Sequence, residues 1–551
     1  MNRLFVLCIA LGLIGSCSKI EHFQPKTAES GGYAYEYVTN DPLQARIYTL
    51  KNGLKVYLSR YDAEPRIYTQ IAVKADGKND PPENTGLAHY LEHIMFKGSD
   101  EFGTLDWGKE KVMLDSIERM FQYYRTLTDS MQRLNYYKKI DAYSNEAAKL
   151  AIANEYDKMI IELGGQGLNA YTTEDRTVYI NDIPSNQLEN WLKIEASRFR
   201  TIVPRLFHTE LEAVYEEKNQ NLDDDYSKSF EVMMQAMFKK HPYGTQTVIG
   251  TIDHLKNPSI TEIKRYFDTY YKPNNVAICL SGDLDYDKTI ALIDKYFSNW
   301  LPNDNLKPWI VVQEDPITKP VECDVYGPDA EWVFLAYRFP VGTLRDAALL
   351  RLCDNILANA RAGLIDLNLK QKQLVIDPFC YVQRNNDYSI HIFQAKPKEG
   401  QSLDEVKEHL LSQIELLKRG EFEDWLIDAV INDLKKSKIS QYEDNWSRTN
   451  EMVMAFTTNS NWAEYIASIE ALRKFTKEDI VKFANQYYGN NYVYVRKKTG
   501  KDPYKRKVDK PVITKVDLNK EARSPFHQAI MNNSVERLKP VFIDYGKDGN
   551  D

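Results

Sequence analysis

The sequence predicts an α+β chain built from two related domains in tandem, and three observations carry that expectation. Apolar and polar residues alternate through "ARIYTLKNGLKVYLSRY" and "RIYTQIAVKA", the period of half-buried strands, on either side of an Asp/Glu/Pro turn. Long segments of helical periodicity lie beyond them. Third, "SITEIKRYFDTYYKPNNVAICLSG" (259–282) is echoed by "TKEDIVKFANQYYGNNYVYVRKKTG" (476–500): a helix, paired tyrosines, an Asn-Asn turn and a strand. Each copy closes a segment of similar size, and Pro-rich "NWLPNDNLKPW" lies between them. The pattern places a first domain at 46–300 and a second at 301–500.

The elements follow in order. "MNRLFVLCIALGLIGSCSK" carries a basic Arg3, an apolar run from Leu4 to Ile14, then small residues ahead of Cys17. That run is too short to span a bilayer, so 1–17 reads as an export signal. Its end, "IGSC", resembles a bacterial lipobox, which implies that Cys17 is acylated and becomes the mature N-terminus; a plain signal peptide with an incidental Cys17 is the alternative. A lipid anchor would hold the protein in the bacterial cell envelope, at the outer membrane or the periplasmic face. Residues 18–45 are polar and read as a linker. Residues 101–163, with "MFQYYRTL" and "MIIEL", read as a helical hairpin inserted in the first domain. "GLNAYTTEDRTVYIND" reads as a β-segment, and "NQLENWLKIEASRFR" and "TELEAVYEEKNQNL" as helices. Past Gly500 the chain is polar and broken by proline, so 501–551 reads as a linker or tail.

Composition narrows the function. At 551 residues, 43% hydrophobic and 27% charged, the chain has material for two or more cores. A net charge of −8 without a dense Lys/Arg cluster argues against nucleic acid as a partner. Cys279, Cys323, Cys353 and Cys380 are far apart and form no CxxC pair. They read as buried small hydrophobes, or as one disulfide at most.

The chemistry concentrates in "GLAHYLEHIMF". On a helical wheel His89 and His93 fall together with Glu92 beside them, while Leu87, Leu91 and Ile94 occupy the other side. Two histidines one turn apart can direct nitrogens to one Zn²⁺, and a carboxylate between them can serve as general base. A catalytic zinc needs a third protein ligand. In "TELEAVYEEKNQ" the wheel places Glu210 and Glu217 beside Ala213 and Val214 on the apolar side. It groups Glu212 and Glu216 with Asn219 on a solvated one. Inward carboxylates require partners, because an unpaired buried charge is costly; a metal or a salt bridge would supply them.

"HYLEH" with the downstream "ELEAVYEE" resembles the inverzincin peptidases, and specifically the pitrilysin/insulinase family, peptidase family M16. The resemblance implies His89, His93 and Glu217 as ligands of one zinc ion per chain, Glu92 as general base and proton carrier, and Glu210 as an acid supporting the ligands. "GQGLNAYTTEDRTVYIND" resembles the family's Asn-Ala-x-Thr strand, which implies that Asn169 and Ala170 contact the substrate backbone. "HPYGTQTVIGT" and "YYKPNNVAICLSGDL" also fit, with His241 as part of the structural match rather than a ligand, so the likeness runs from about residue 46 to residue 500. It implies paired α/β-roll domains, each a mostly antiparallel sheet flanked by helices, with zinc in the first alone. It further implies a zinc-dependent endopeptidase acting on peptides or small unfolded proteins. The implied partners are a peptide substrate and a second M16 half or homologous subunit. The alternatives are a non-catalytic assembly or peptide-binding subunit of a two-chain complex, and a truncated fragment.

Overall fold

The computed structural model describes residues 23–340, 342–503, 507, 513–516 and 518–538. Cys17 and the expected export signal lie outside them. Among the described residues no helix is long and apolar enough to cross a membrane.

Two sheets organise the chain. The first contains β1 (Pro25–Ser30), β2 (Tyr33–Val38), β3 (Arg46–Thr49), β4 (Lys55–Arg60), β5 (Arg66–Val73), β6 (Gln166–Thr172), β7 (Thr177–Pro184) and β8 (Val276–Gly282). Its order is β1-β2-β3-β4-β8-β5-β7-β6. The second contains β9 (Val321–Gly327), β10 (Trp332–Pro340), β11 (Ile376–Arg384), β12 (Tyr388–Lys396) and β13 (Tyr492–Thr499), ordered β11-β12-β10-β13-β9. The sequence echo ends on β8 and β13, and these strands have the same neighbours. β8 runs parallel to β4 and antiparallel to β5; β13 runs parallel to β9 and antiparallel to β10. One connectivity, β4-β8-β5-β7-β6, thus recurs as β9-β13-β10-β12-β11. The fold is α+β, with mixed, mostly antiparallel sheets.

The structure corrects three expectations. Residues 18–45 are not simply a linker, because β1 and β2 form a hairpin that extends the first sheet. Gly31 (φ 58°) and Gly32 (φ 86°) supply the two left-handed residues of its turn. An edge hairpin needs little apolar sequence, so "PKTAES" looked like linker. The stretch "ARIYTLKNGLKVYLSRY" is two strands, β3 and β4, turned at Asn52-Gly53, where Gly53 has φ 88°. Residues 501–551 also contain docked structure. Ser524 caps a short helix, Pro525–Met531, whose buried His527 lies 3.2 Å from Glu155 and 3.0 Å from Glu162. Phe526 stacks on Phe102, and Thr514 bonds Asp141.

That segment packs on the helices of 101–163, which number three: Trp107–Thr126, Ser130–Ala148 and Glu155–Glu162. Asp106 and Asp129 cap the first two.

The two sheets exchange helices. Asn445–Thr457, from the second half of the chain, lays Met452, Val453 and Phe456 on Ala72, Val178 and Cys279 of the first sheet. Its polar residues are satisfied there too: Thr449 accepts from Gln70 (3.0 Å), and Arg448 donates to Ser59 Oγ (2.7 Å). Asp225–Met237 makes the reciprocal contact, placing Met233, Met234 and Met237 against Phe334, Val493 and Val495 of the second sheet. Asp225 and Lys497 close this second contact 2.9 Å apart, both fully buried. Each sheet therefore completes its core with the other's helix. Phe456→Ala is expected to cost about 3–5 kcal/mol and to lower one common thermal transition read by both far-UV and near-UV circular dichroism. Two separated transitions, with the second sheet unaffected, would contradict this coupling.

Candidate metal centre

The motif helix spans Leu87–Met95. Leu87, Ala88, Leu91, Ile94 and Met95 sink into the first core, and this fixes where its other face points. Its N-terminus is held by Asp80, whose carboxylate accepts from the backbone N–H of Gly86 (2.6 Å), Leu87 (3.2 Å) and Ala88 (3.0 Å). Gly86 has φ 89°, and a Cβ there would sit 2.7 Å from the Ile249 carbonyl, so the entry turn requires glycine. Just upstream, buried Lys78 pairs with Asp175 (2.6 Å) and reaches Asp387 beyond β11 at 3.6 Å. His241 Nε2 lies 3.0 Å from the same Asp387. The second half thus braces the segment entering the motif helix.

Tyr90 sets the facing helix. It is buried, its hydroxyl donates to the Phe207 carbonyl, and its ring packs on Phe207 with centroids 4.8 Å apart. Phe207 begins the helix Phe207–Asp223, which carries both candidate carboxylates. His89 Nε2 lies 3.4 Å from Glu217 Oε1, and His93 Nε2 lies 3.6 Å from Glu217 Oε2. The donor atoms of His89, His93 and Glu217 all fall within 4.8 Å of one another. Ligands at about 2.0–2.2 Å from a tetrahedral Zn²⁺ stand about 3.3–3.6 Å apart, so two nitrogens and a carboxylate so spaced are a fitting donor set.

The surrounding charges are matched. Glu210 Oε2 faces His93 Nδ1 at 3.7 Å, and Glu210 Oε1 accepts from Lys97 at 2.7 Å. Burial alone would raise the Glu210 carboxyl, but its bonds to His93 and Lys97 outweigh burial and hold it below its ordinary value. Hydrogen bonds to His89 and His93 hold Glu217 well below the carboxylate range. Burial would lower the His93 imidazole, yet Glu210 and Glu217 lift it to about 9. Glu92 is buried; desolvation raises its carboxyl above the usual range, opposed by Thr172, whose hydroxyl donates to Oε2 at 2.6 Å.

Thr172 ends β6, which is the outer strand of its sheet and carries exposed Asn169 and half-buried Ala170. Asn169 pairs with Ile180 and Ala170 with Tyr179 through one side of β6; among the described residues the other side borders no strand. The structure therefore brings His89, Glu92, His93, Glu210 and Glu217 together, with Asn169 and Ala170 on the adjoining strand. The wheel erred on two lesser positions: Asn219 is buried and Ala213 exposed. The helix is packed on two sides, so it has no single apolar arc. Sequence reasoning missed Asp80, Lys97 and the Thr172 contact; only Thr172 had a signal, as the fourth residue of "NAYT".

Comparisons with known proteins bear on the fold and on the family the chain resembles. Residues 259–434 match the family model described as "Peptidase M16 inactive domain", a stretch that begins after all the candidate ligands. The chain is 22% identical over 462 residues to the zinc protease PqqE of Helicobacter pylori, covering 80% of this chain and 89% of that one. The crystal structure of a protease from Helicobacter pylori superposes with a TM-score of 0.68 at 21% identity, over 82% of this chain and 99% of that one. The periplasmic protease PqqL from Escherichia coli gives a TM-score of 0.63 at 14% identity, over 91% of this chain but only 51% of PqqL. The fold is the two-sheet fold of these M16-type proteases, and the chain is similar to peptidase family M16 over most of its length.

Because an imidazolium cannot ligate, zinc binding must displace the proton that His93 carries up to about pH 9. Zinc affinity is expected to fall about tenfold per pH unit as pH drops from 9 to 7, with roughly one proton released per ion, read by competition titration. Affinity independent of pH over that range would contradict the protonated resting state.

Proposed function

We propose that this chain is a zinc-dependent endopeptidase that hydrolyses peptides or small unfolded proteins. The observation that carries the reading is the convergence of His89 Nε2, His93 Nε2 and the Glu217 carboxylate beside buried Glu92, next to a sheet edge. His89, His93 and Glu217 would hold the ion, with Glu210 orienting His93 through Nδ1. Bound zinc supplies Lewis acidity toward water and the scissile carbonyl.

The chain's own groups supply the remainder. Glu92 has Oε2 held by Thr172, and its carboxylate would take a proton from water and hand it to the leaving amine. Burial raises its pKa, which makes the second transfer easier than an ordinary carboxylate would allow. An extended substrate would add to β6 as a further strand, with main-chain bonds at Asn169 and Ala170, so recognition depends little on side chains.

A second M16 half or homologous subunit is the proposed partner, closing the cleft over the substrate; this chain spans about half of PqqL. PqqL is described as periplasmic. The same envelope compartment is proposed here, with Cys17 as the lipid-anchored residue.

A second reading is that of an assembly or peptide-binding subunit: the family model matched at residues 259–434 is described as an inactive domain, and it contains none of the candidate ligands. Glu92→Gln separates the two. The variant is expected to keep its zinc content and lose about 10²–10⁴-fold in cleavage of a quenched peptide, measured with and without a second-half partner. Cleavage that survives the substitution would rule out the mechanism, and a wild-type chain inactive under both conditions would favour the binding subunit.

A further inference from the structure

A second set of potential ligands lies in the other sheet, far along the chain from the motif helix. Cys380 on β11 and His391 on β12 share one face of adjacent antiparallel strands: Cys380 is registered with Phe393 and Val382 with His391. That face is covered by the helix Leu344–Leu357, which brings Asp354 over both side chains. Cys380 Sγ lies 3.5 Å from Asp354 Oδ1, and His391 Nε2 lies 3.2 Å from the same oxygen. The sulfur, nitrogen and carboxylate oxygen all fall within 4.8 Å of one another.

Ordinary core packing leaves two features of this cluster unaccounted for. His391 is fully buried, and among the described residues its Nε2 has no hydrogen-bond partner, although Asp354 Oδ1 is near. An orphaned ring nitrogen in a core is costly. The other nitrogen, Nδ1, meets the Tyr488 hydroxyl at 2.6 Å. If Nδ1–H donates to Tyr488, the Nε2 lone pair points at Cys380 and Asp354, the orientation that an outer partner imposes on a metal-binding histidine. The second feature is spacing. With Zn–S about 2.3 Å and Zn–O or Zn–N about 2.0–2.1 Å, tetrahedral ligand edges are about 3.3–3.6 Å, close to those observed.

We propose that Asp354, Cys380 and His391 form a second site for a thiophilic divalent cation such as Zn²⁺, separate from the candidate catalytic centre. Binding releases the Cys380 thiol proton to solvent and leaves a thiolate, a carboxylate and a neutral imidazole on the ion. Among the described residues no lysine or arginine forms an ion pair with Asp354, so its carboxylate is available. Its side chain is 20% exposed, giving the ion a route in and a water a fourth position. The assignment does not depend on the first site being catalytic. Such an ion would tie β11 and β12 to the helix above them.

Co²⁺ alone, titrated into chelator-treated full-length protein, tests it. The candidate catalytic donors include no sulfur, so a thiolate-to-cobalt charge-transfer band in the near ultraviolet reports the second site specifically. Wild type is expected to show that band and to take up a second equivalent of Co²⁺. His89→Ala combined with His93→Ala keeps the band, Cys353→Ser keeps it, and Cys380→Ser or His391→Asn removes it along with one equivalent. A folded wild-type protein lacking the band would overturn the proposal whatever the variants do, as would a band that survives Cys380→Ser.

Discussion

An imidazolium and a carboxylate held side by side and partly buried stabilise one another only if each finds the other in register, and the first half of this fold is arranged around one such match. His93 meets Glu217 through one nitrogen and Glu210 through the other, while Lys97 completes the balance on Glu210. Apolar packing of Leu87, Leu91 and Ile94 turns the histidine face of the motif helix inward. Tyr90, bonded to the start of the carboxylate helix, sets the separation between the two helices. Shift either helix by a turn and the mostly buried Glu210 and Lys97 lose their partners, while Glu217, whose side chain is 42% exposed, is screened by solvent and loses less. The same donor set fits a cation once a proton leaves His93.

Rigidity for that arrangement comes from outside the first domain. The exchanged helices Asn445–Thr457 and Asp225–Met237 make each sheet's outer face depend on the other half of the chain. The Lys78, Asp175, Asp387 and His241 cluster carries the tie to within two residues of Asp80, the anchor of the motif helix. A domain without ligands of its own in the proposed catalytic centre can thus contribute to it mechanically. The docked segment around His527 braces the far side through Glu155 and Glu162.

The motif was legible in sequence because two histidines and a glutamate at helical spacing violate the apolar pattern around them. The duplicated architecture was legible for a related reason: the helix-turn-strand unit closing each half repeats its tyrosines and its Asn-Asn turn. What escaped detection depended on tertiary context. Asp80 caps a helix that begins several residues later, past two prolines. β1 and β2 form an edge hairpin whose exposed faces need few apolar residues. The helix Asn445–Thr457 buries Arg448, Thr449 and Glu451, so its sequence resembles a solvated helix, although Arg448 and Thr449 bond the first sheet and Glu451 pairs with Lys438. The carboxylate helix packs on two sides, which defeats a one-face reading of Ala213 and Asn219.

The central claim is spatial: two helices from separate parts of the chain place two imidazole nitrogens and one carboxylate around a single ion. Anomalous diffraction at the zinc absorption edge, from crystals of the zinc-loaded full-length chain, tests it most directly. A peak bounded by His89 Nε2, His93 Nε2 and the Glu217 carboxylate is the expected result. A zinc-loaded crystal with no peak there, or with the ion held by Glu210 or Glu92 in place of Glu217, would contradict it.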